Sequence, residues 1–369
     1  MRLIFLILIS LSLAFSYETN DDRGYNLKFK TLGWNTDWNK HTISYDELLS
    51  GGPSRDGIPP IDEPKFISVE KAKSWIGDKE PVIFLEINKK VKAYPISVLM
   101  WHEIVNDTLG DKKISVTFCP LCNSAIVFDR VLDGVEYDFG TSGLLRNSDL
   151  VMYDRQTESL WQQFTGEGIV GSMVEKQLKF LPSSLVSFKD VYTSFPNALI
   201  LSKDTGFNRD YGRNPYSGYD DINQSPFLFD KKTDDRLRPM QKVLTLSLNN
   251  TDKAYTYDAL KKDIVYNDKE LDLVLFYKKG TNAALDRSLI RHSKDDGSYT
   301  VYSNLLNGEK FNFLYKDGKF IDKNTNSIWN IFGQAIDGEL KGKQLNPIVH
   351  ADHFWFSWAV FKPKTLIYK

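Results

Sequence analysis

The chain predicts an α+β fold dominated by strands and arranged as two tandem, pseudo-equivalent β-rich units of barrel or sandwich type. Three observations lead there: short apolar runs separated by turn signals, a colinear self-similarity between the two halves, and only a few short helical patterns. The chain has 369 residues, more than one small core requires.

Met1-Arg2 and the apolar run Leu3 to Phe15, followed by Ala14-Phe15-Ser16, read as a secretory signal over residues 1–16. The expected location is therefore extracytoplasmic, with an uncleaved N-terminal segment as the one route to a membrane tether. Residues 17–62, with Gly51-Gly52-Pro53 and Pro59-Pro60, read as an irregular wrap. Unit one is expected over 63–206, an ordered connecting loop over 207–240, and unit two over 241–369.

Within unit one, Pro81 to Ile87 and Val91 to Tyr94 flank the turn Asn88-Lys89-Lys90, and Ile114 to Phe118 is a further strand. Ile126 to Leu132 and Val135 to Phe139 flank Asp133-Gly134, a type I′ signal, with clean alternation in the second strand. Ile96 to Val105 has helical spacing, matched by Tyr257 to Asp263, and Phe188 to Thr193 suggests another helix. The Gly-rich stretch Phe139 to Asp149 reads as a long hairpin loop. The connecting loop holds too many aromatics for a flexible linker and is expected to pack over a neighbouring surface.

The self-similarity pairs Lys92-Ala93-Tyr94 with Lys253-Ala254-Tyr255, Asp129-Arg130 with Asp286-Arg287, Trp161 with Trp329, and Gly166 and Gly171 with Gly333 and Gly338. Shared residues read as scaffold, so unshared ones become candidates for function. Unit one alone carries His102, Cys119 and Cys122, whereas Tyr277-Lys278-Lys279-Gly280 stands where the cysteines should recur. Unit two alone carries His292, His350 and His353.

Cys119 and Cys122 are the only cysteines. In Cys119-Pro120-Leu121-Cys122 they suit a metal knuckle, a disulfide or a redox couple, and the strand pattern that follows argues against a helix-borne thioredoxin site. His102 is the natural third ligand of a zinc or copper ion, with His350 and His353 as distant candidates. His102-Glu103-Ile104-Val105-Asn106 is not a metalloprotease helix, because its second histidine position is Asn106. Glu103, Arg146, Asp149 and Glu158 are the catalytic candidates. Asp149, Asp154, Glu158 and Glu167 of the 146–167 hairpin could supply the paired carboxylates of an extracellular hydrolase.

Net charge is −1, with 47 basic and 48 acidic residues and no basic block interleaved with aromatics, so nucleic acid is not expected as a partner. A small molecule or a cell-surface partner remains.

Several motifs resemble one family: Trp101-His102-Glu103-Ile104-Val105-Asn106-Asp107, Thr117-Phe118-Cys119-Pro120-Leu121-Cys122, Ser148-Asp149-Leu150-Val151-Met152-Tyr153-Asp154-Arg155-Gln156-Thr157-Glu158-Ser159-Leu160-Trp161, Pro215-Tyr216-Ser217-Gly218-Tyr219 and Phe354-Trp355-Phe356-Ser357-Trp358. They resemble domain-of-unknown-function family DUF3179 from about Pro59 to the C-terminus. The family pattern maps onto His102, Cys119 and Cys122 and departs at Asn123, where it often has Gly; Asn tolerates the same positive φ. The resemblance strengthens the site and implies no established activity. Three readings stay open: a transition-metal protein built on Cys119, Cys122 and His102, a non-catalytic surface binding module with a Cys119–Cys122 disulfide, and a hydrolase.

Overall fold

Strands dominate, and they assemble into sheets that recur in the same order in two stretches of chain. The computed structural model describes residues 22–369, so the expected signal segment lies outside the described residues. In the first stretch, Ser184–Ser187, Pro81–Ile87, Lys90–Pro95 and Leu199–Leu201 form one sheet, with Phe66–Ser68 added at its edge. In the second, Ala351–Phe354, Lys242–Leu248, Thr251–Thr256 and Leu366–Tyr368 take the same order. In both, the last of these strands runs parallel to the third and the other pairs are antiparallel.

A meander follows in each stretch: Ile104–Leu109, Lys112–Cys119 and Ser124–Asp129 in the first, Val265–Asp268, Leu273–Lys278 and Ser298–Ser303 in the second. A third sheet follows in each, running from Phe139–Arg146 to Gly168–Val170 and from Phe313–Lys316 to Ala335–Asp337.

The same side-chain bonds hold both copies. The Asp154 carboxylate accepts from the Thr157 backbone N–H (2.6 Å) and the Trp161 indole (2.8 Å); Asp322 accepts from Thr325 (2.6 Å) and Trp329 (2.9 Å). The Tyr94 hydroxyl donates to Asp107, and that of Tyr255 to Asp268. Gly171 and Gly338 have φ of 102° and 90°, and a Cβ on either would lie within 3 Å of Ser159 or Ser327, so only glycine fits.

The two stretches are packed together. One apolar cluster joins Cys119, Cys122 and Phe118 to Met240, Leu285, Phe354 and Phe356, and another joins Phe84 and Phe188 to Phe276, Trp329 and Phe332. Residues before Leu49 drape Leu27, Trp38, Ile43 and Tyr45 over the sheet carrying Val151, Tyr153 and Leu160. Asp133 and Gly134 have the two positive φ values that the type I′ signal requires.

Four sequence readings need correction. The helix expected over Ile96 to Val105 stops at Leu99, and Ile104 and Val105 begin a strand, because Glu103 turns the chain at φ 58°. Phe139–Arg146 is a strand rather than a loop, closed by a two-residue turn at Asn147-Ser148 with φ of 54° and 66°. Val135 and Glu136 are both exposed, so the expected alternation starts only at Tyr137. Asp286 does not match Asp129: Asp129 ends its strand, whereas Asp286 lies in the long connection Lys279 to Gly297.

Candidate metal centre

The cysteine strand Lys112–Cys119 runs into a single 3-10 turn, Pro120–Cys122, with proline at its first position, where a missing N–H costs nothing. Asn123 at φ 51° then reverses the chain into Ser124–Asp129, so that Cys119 pairs with Ser124. The turn holds both sulfurs on one side, and both Sγ atoms face the Ser148 carbonyl, at 3.9 Å from Cys119 and 3.6 Å from Cys122. Both are free thiols.

Asp149 comes to them from another sheet. The Asn147-Ser148 turn pairs Arg146 with Asp149 and leaves the Asp149 carboxylate fully buried. The ligand atoms of Cys119, Cys122 and Asp149 all lie within 4.8 Å of one another, and all three residues are buried. Oδ2 of Asp149 accepts from the Gln162 amide (2.6 Å) and the Phe164 backbone N–H (2.9 Å). Oδ1 has no hydrogen-bond partner. A buried carboxylate oxygen in that state costs free energy unless something cationic or protic reaches it.

Electrostatics make the same point. Burial pushes the Asp149 carboxyl from 3.8 up to about 7, against the lowering effect of its hydrogen bonds. Burial, then the Asp149 charge, pushes Glu103 from 4.5 up to about 8. Burial raises the Cys119 thiol and raises Cys122 well above its ordinary value, and Asp149 adds to both. Burial is thus the largest cause in all four groups, and the Asp149 charge adds to it at Glu103 and at both thiols.

The connecting loop covers the pocket. Burial raises the phenols of Tyr216 and Tyr219, with smaller contributions from Glu103 and Cys119 for Tyr216 and from the two thiols for Tyr219. The loop is pinned by Asn214 N–H to Ser288 O and Gly218 N–H to Leu285 O, both 2.9 Å, and by Asp220 held between Lys242 (2.7 Å) and Lys294 (3.2 Å). The Ser148 hydroxyl donates to Phe227 O, and the Ser357 hydroxyl reaches the Cys122 carbonyl at 3.5 Å. Residues 207–240 contain neither helix nor strand, and these bonds fasten them to the neighbouring segments.

His102 is not in this group. Its Nδ1 donates to the Pro59 carbonyl at 2.6 Å, which leaves Nε2 of the neutral ring to accept from the Tyr211 hydroxyl at 2.7 Å. Burial lowers its pKa, so the ring ties the N-terminal wrap to the connecting loop as a neutral bridge. His350 Nδ1 bonds the Ile348 carbonyl and its Nε2 lies 3.4 Å from Ser184, and His353 is buried between the rings of Phe164 and Trp358. Among the described residues, neither joins the cysteines in a ligand group.

The other candidates separate. Arg146 pairs with Glu47 at 2.9 Å and reaches Gln162 at 3.3 Å, one residue removed from Asp149. Glu158 is held by Arg55 (2.9 Å) and the Asn35 N–H (2.6 Å), fastening the N-terminal wrap. Asp154 caps its turn as Asp322 does, and Glu167 is exposed. The hairpin thus isolates no carboxylate pair for hydrolysis.

Sequence reasoning named Asp149 as a catalytic candidate and did not group it with the cysteines, as the structure does. The self-comparison carried the signal. Arg146 pairs with Asp149 across the turn as Lys316 pairs with Lys319, so the second stretch has lysine in place of Asp149. Phe118 N–H bonds the Glu103 carbonyl as Tyr277 N–H bonds that of Ile264, both at 2.8 Å, so Ile264 stands in place of Glu103.

The family model for proteins of unknown function named DUF3179 matches residues 55–365. No curated protein and no solved structure matches the chain.

Proposed function

Because the chain belongs to the DUF3179 family, whose description assigns no activity, the site itself must carry the reading, and we propose that this protein holds one transition-metal ion on Cys119, Cys122 and Asp149. The observation that supports it best is the unpartnered Oδ1 of buried Asp149 beside two buried thiols. A divalent cation would satisfy that oxygen, favour the thiolates and offset the burial that raises all these groups.

Two sulfurs and a carboxylate oxygen suit zinc better than copper(I), which prefers an all-soft donor set. Three protein ligands leave a fourth tetrahedral position open, the pattern of zinc centres that polarise water or a carbonyl. Glu103, which burial keeps protonatable near neutral pH and which couples electrostatically to Asp149 and Cys119, would be the residue to exchange a proton in such a centre. His102 acts as a neutral brace for the covering loop rather than as a ligand.

Export, expected from the N-terminal apolar run, fits this reading. Two neighbouring thiols in an oxidising compartment close to a disulfide unless a metal holds them.

Native and denaturing mass spectra of protein purified without chelator test the proposal. The expected result is a mass excess of one zinc that vanishes on denaturation, leaving two free thiols, and that is absent from Cys119→Ser/Cys122→Ser protein. A chain two hydrogens light with no excess would instead mean a Cys119–Cys122 disulfide and would overturn the metal reading in favour of a redox couple or a binding module.

A further inference from the structure

The Asp149 carboxylate is held from outside the ligand group. Its Oδ2 accepts from the Gln162 amide, and the Gln162 carbonyl oxygen in turn accepts from Nη1 of Arg146 at 3.3 Å. Arg146 closes on Glu47 through Nε and Nη2, both at 2.9 Å. We infer that Glu47, Arg146 and Gln162 form one chain of positioning residues that keeps Oδ1 of Asp149 free for the metal, so that the N-terminal wrap, through Glu47, sets how tightly the site holds its ion. The inference rests on the metal reading above.

Each bond in the chain dictates the sense of the next. A guanidinium has donors only, so the Gln162 oxygen must face Arg146 and the Gln162 nitrogen must face Asp149. A reversed amide would set donor against donor at one end and carbonyl against carboxylate at the other. Oδ2 is then filled by Gln162 and the Phe164 N–H, and Oδ1 is what remains for a cation. Hydrogen bonds of this kind orient a ligating side chain and raise metal affinity.

The outer end is anchored too. Glu47 closes the 3-10 turn Tyr45–Glu47: its N–H bonds the Ser44 carbonyl at 3.1 Å and its Oε1 accepts from the Ser44 N–H at 3.3 Å, which leaves Oε2 to Arg146. Tyr45 and Leu48 beside it are buried in the cluster that seats the wrap on its sheet. Side-chain exposure falls from 22% at Glu47 and 17% at Arg146 to none at Gln162 and Asp149, so the inner bonds are the least screened.

The second stretch has no such chain. Arg146 and Asp149 are answered by Lys316 and Lys319, and Gln162, which follows Trp161, is answered by Asn330, which follows Trp329. Asn330 turns back on its own loop, where its Oδ1 accepts from the Phe332 and Gln334 N–H groups, both at 3.0 Å. By the subtraction that singled out the cysteines, Gln162 and Arg146 belong with the site and not with the scaffold.

Zinc affinity, read by competition with a chromogenic chelator, tests the inference. The expected result is a loss of about 10- to 100-fold in Gln162→Leu, the range for removing a hydrogen bond that orients a metal ligand. Glu47→Gln should lose about threefold, as a partly exposed ion pair gives, and serves if Gln162→Leu fails to fold. Glu158→Gln loosens the wrap at Arg55 and the Asn35 N–H without touching the chain, and should bind zinc as wild type does. In cobalt(II)-loaded Gln162→Leu the thiolate charge-transfer band should persist while the ligand-field bands shift, because the sulfurs stay in place and the carboxylate does not. Wild-type affinity in Glu47→Gln or in folded Gln162→Leu, unshifted ligand-field bands, or an equal loss in Glu158→Gln would each overturn the inference and leave the metal reading standing. Wild-type protein that binds no zinc would overturn the metal reading, and this inference with it.

Discussion

Where the first stretch turns in the residues Pro120 to Asn123, the second inserts Lys279 to Gly297 between strands of the same register, Cys119 pairing with Ser124 as Lys278 pairs with Ser298. The difference is concentrated at the site. Cys119, Asp149 and Glu103 are answered by Lys278, Lys319 and Ile264, while Tyr94, Asp107, Asp154, Thr157 and Trp161 are answered by identical residues in identical bonds. The inserted loop also supplies Ala284 and Leu285 to the apolar cluster around the cysteines and anchors the covering loop. The second stretch carries no acidic residue at these three positions and helps to cover the cluster of the first.

The comparison also reassigns a strained residue. Positive φ at Glu103 invites a catalytic explanation, since backbone strain gathers at functional sites. Ile264 adopts φ 61° at the matching position with no acidic group to serve, although a β-branched side chain tolerates that region poorly. The turn belongs to the scaffold, and only the carboxylate placed on it is particular to the site.

The largest effect should come from the shared tryptophans. Trp161 and Trp329 are fully buried, each bonded to the aspartate of its own turn and packed edge-on against Phe139 or Phe313. Trp161→Ala and Trp329→Ala should each cost about 3–5 kcal/mol in urea unfolding, the usual range for such truncations. Trp329→Ala should keep the metal. A loss below about 1 kcal/mol for either would break the equivalence of the two scaffolds.

A smaller effect is a pH dependence that differs between the stretches. In metal-free protein, Asp149 titrates at about 7 rather than 3.8, and Glu103 at about 8 rather than 4.5. The folded state then holds more protons than the unfolded state between those values. Stability contributed by these groups is present below the unfolded pKa values and is lost as pH rises through about 7 to 8. Asp352 in the second stretch is also raised to about 7 by burial, but its partner is the Tyr257 hydroxyl. Metal should therefore remove the decline caused by Asp149 and leave that caused by Asp352. Unfolding free energies across the pH range with and without zinc, in wild type and Asp149→Asn, measure this; a decline unaffected by zinc would contradict it.

Local features were legible because they are local. Pro81–Ile87, the Asp133-Gly134 turn, the positive φ at Asn123 and the helix at Tyr257 follow from patterns a few residues long. The Gly-rich strand Phe139–Arg146 was obscured because neighbouring side chains press close to its backbone: a Cβ on Gly140 would meet Tyr153 and Asp56, so glycine there reflects close packing rather than a loop. Cys119 and Cys122 announced a site by spacing alone. Their carboxylate partner arrives from a different sheet across a register that no short-range pattern encodes, and the covering tyrosines arrive from the connecting loop. His102 was attractive by residue type, yet its position between Pro59 and Tyr211 is set by two segments distant in sequence.

The central claim is that Asp149, not His102, completes the ligand set with the two cysteines. X-ray absorption at the zinc edge of metal-loaded protein tests it most directly. The account predicts two sulfur scatterers at about 2.3 Å and light atoms at about 2.0 Å, without the outer-shell signature of an imidazole. An imidazole signature that disappears in His102→Ala, or a metal bound with no sulfur at all, would contradict it.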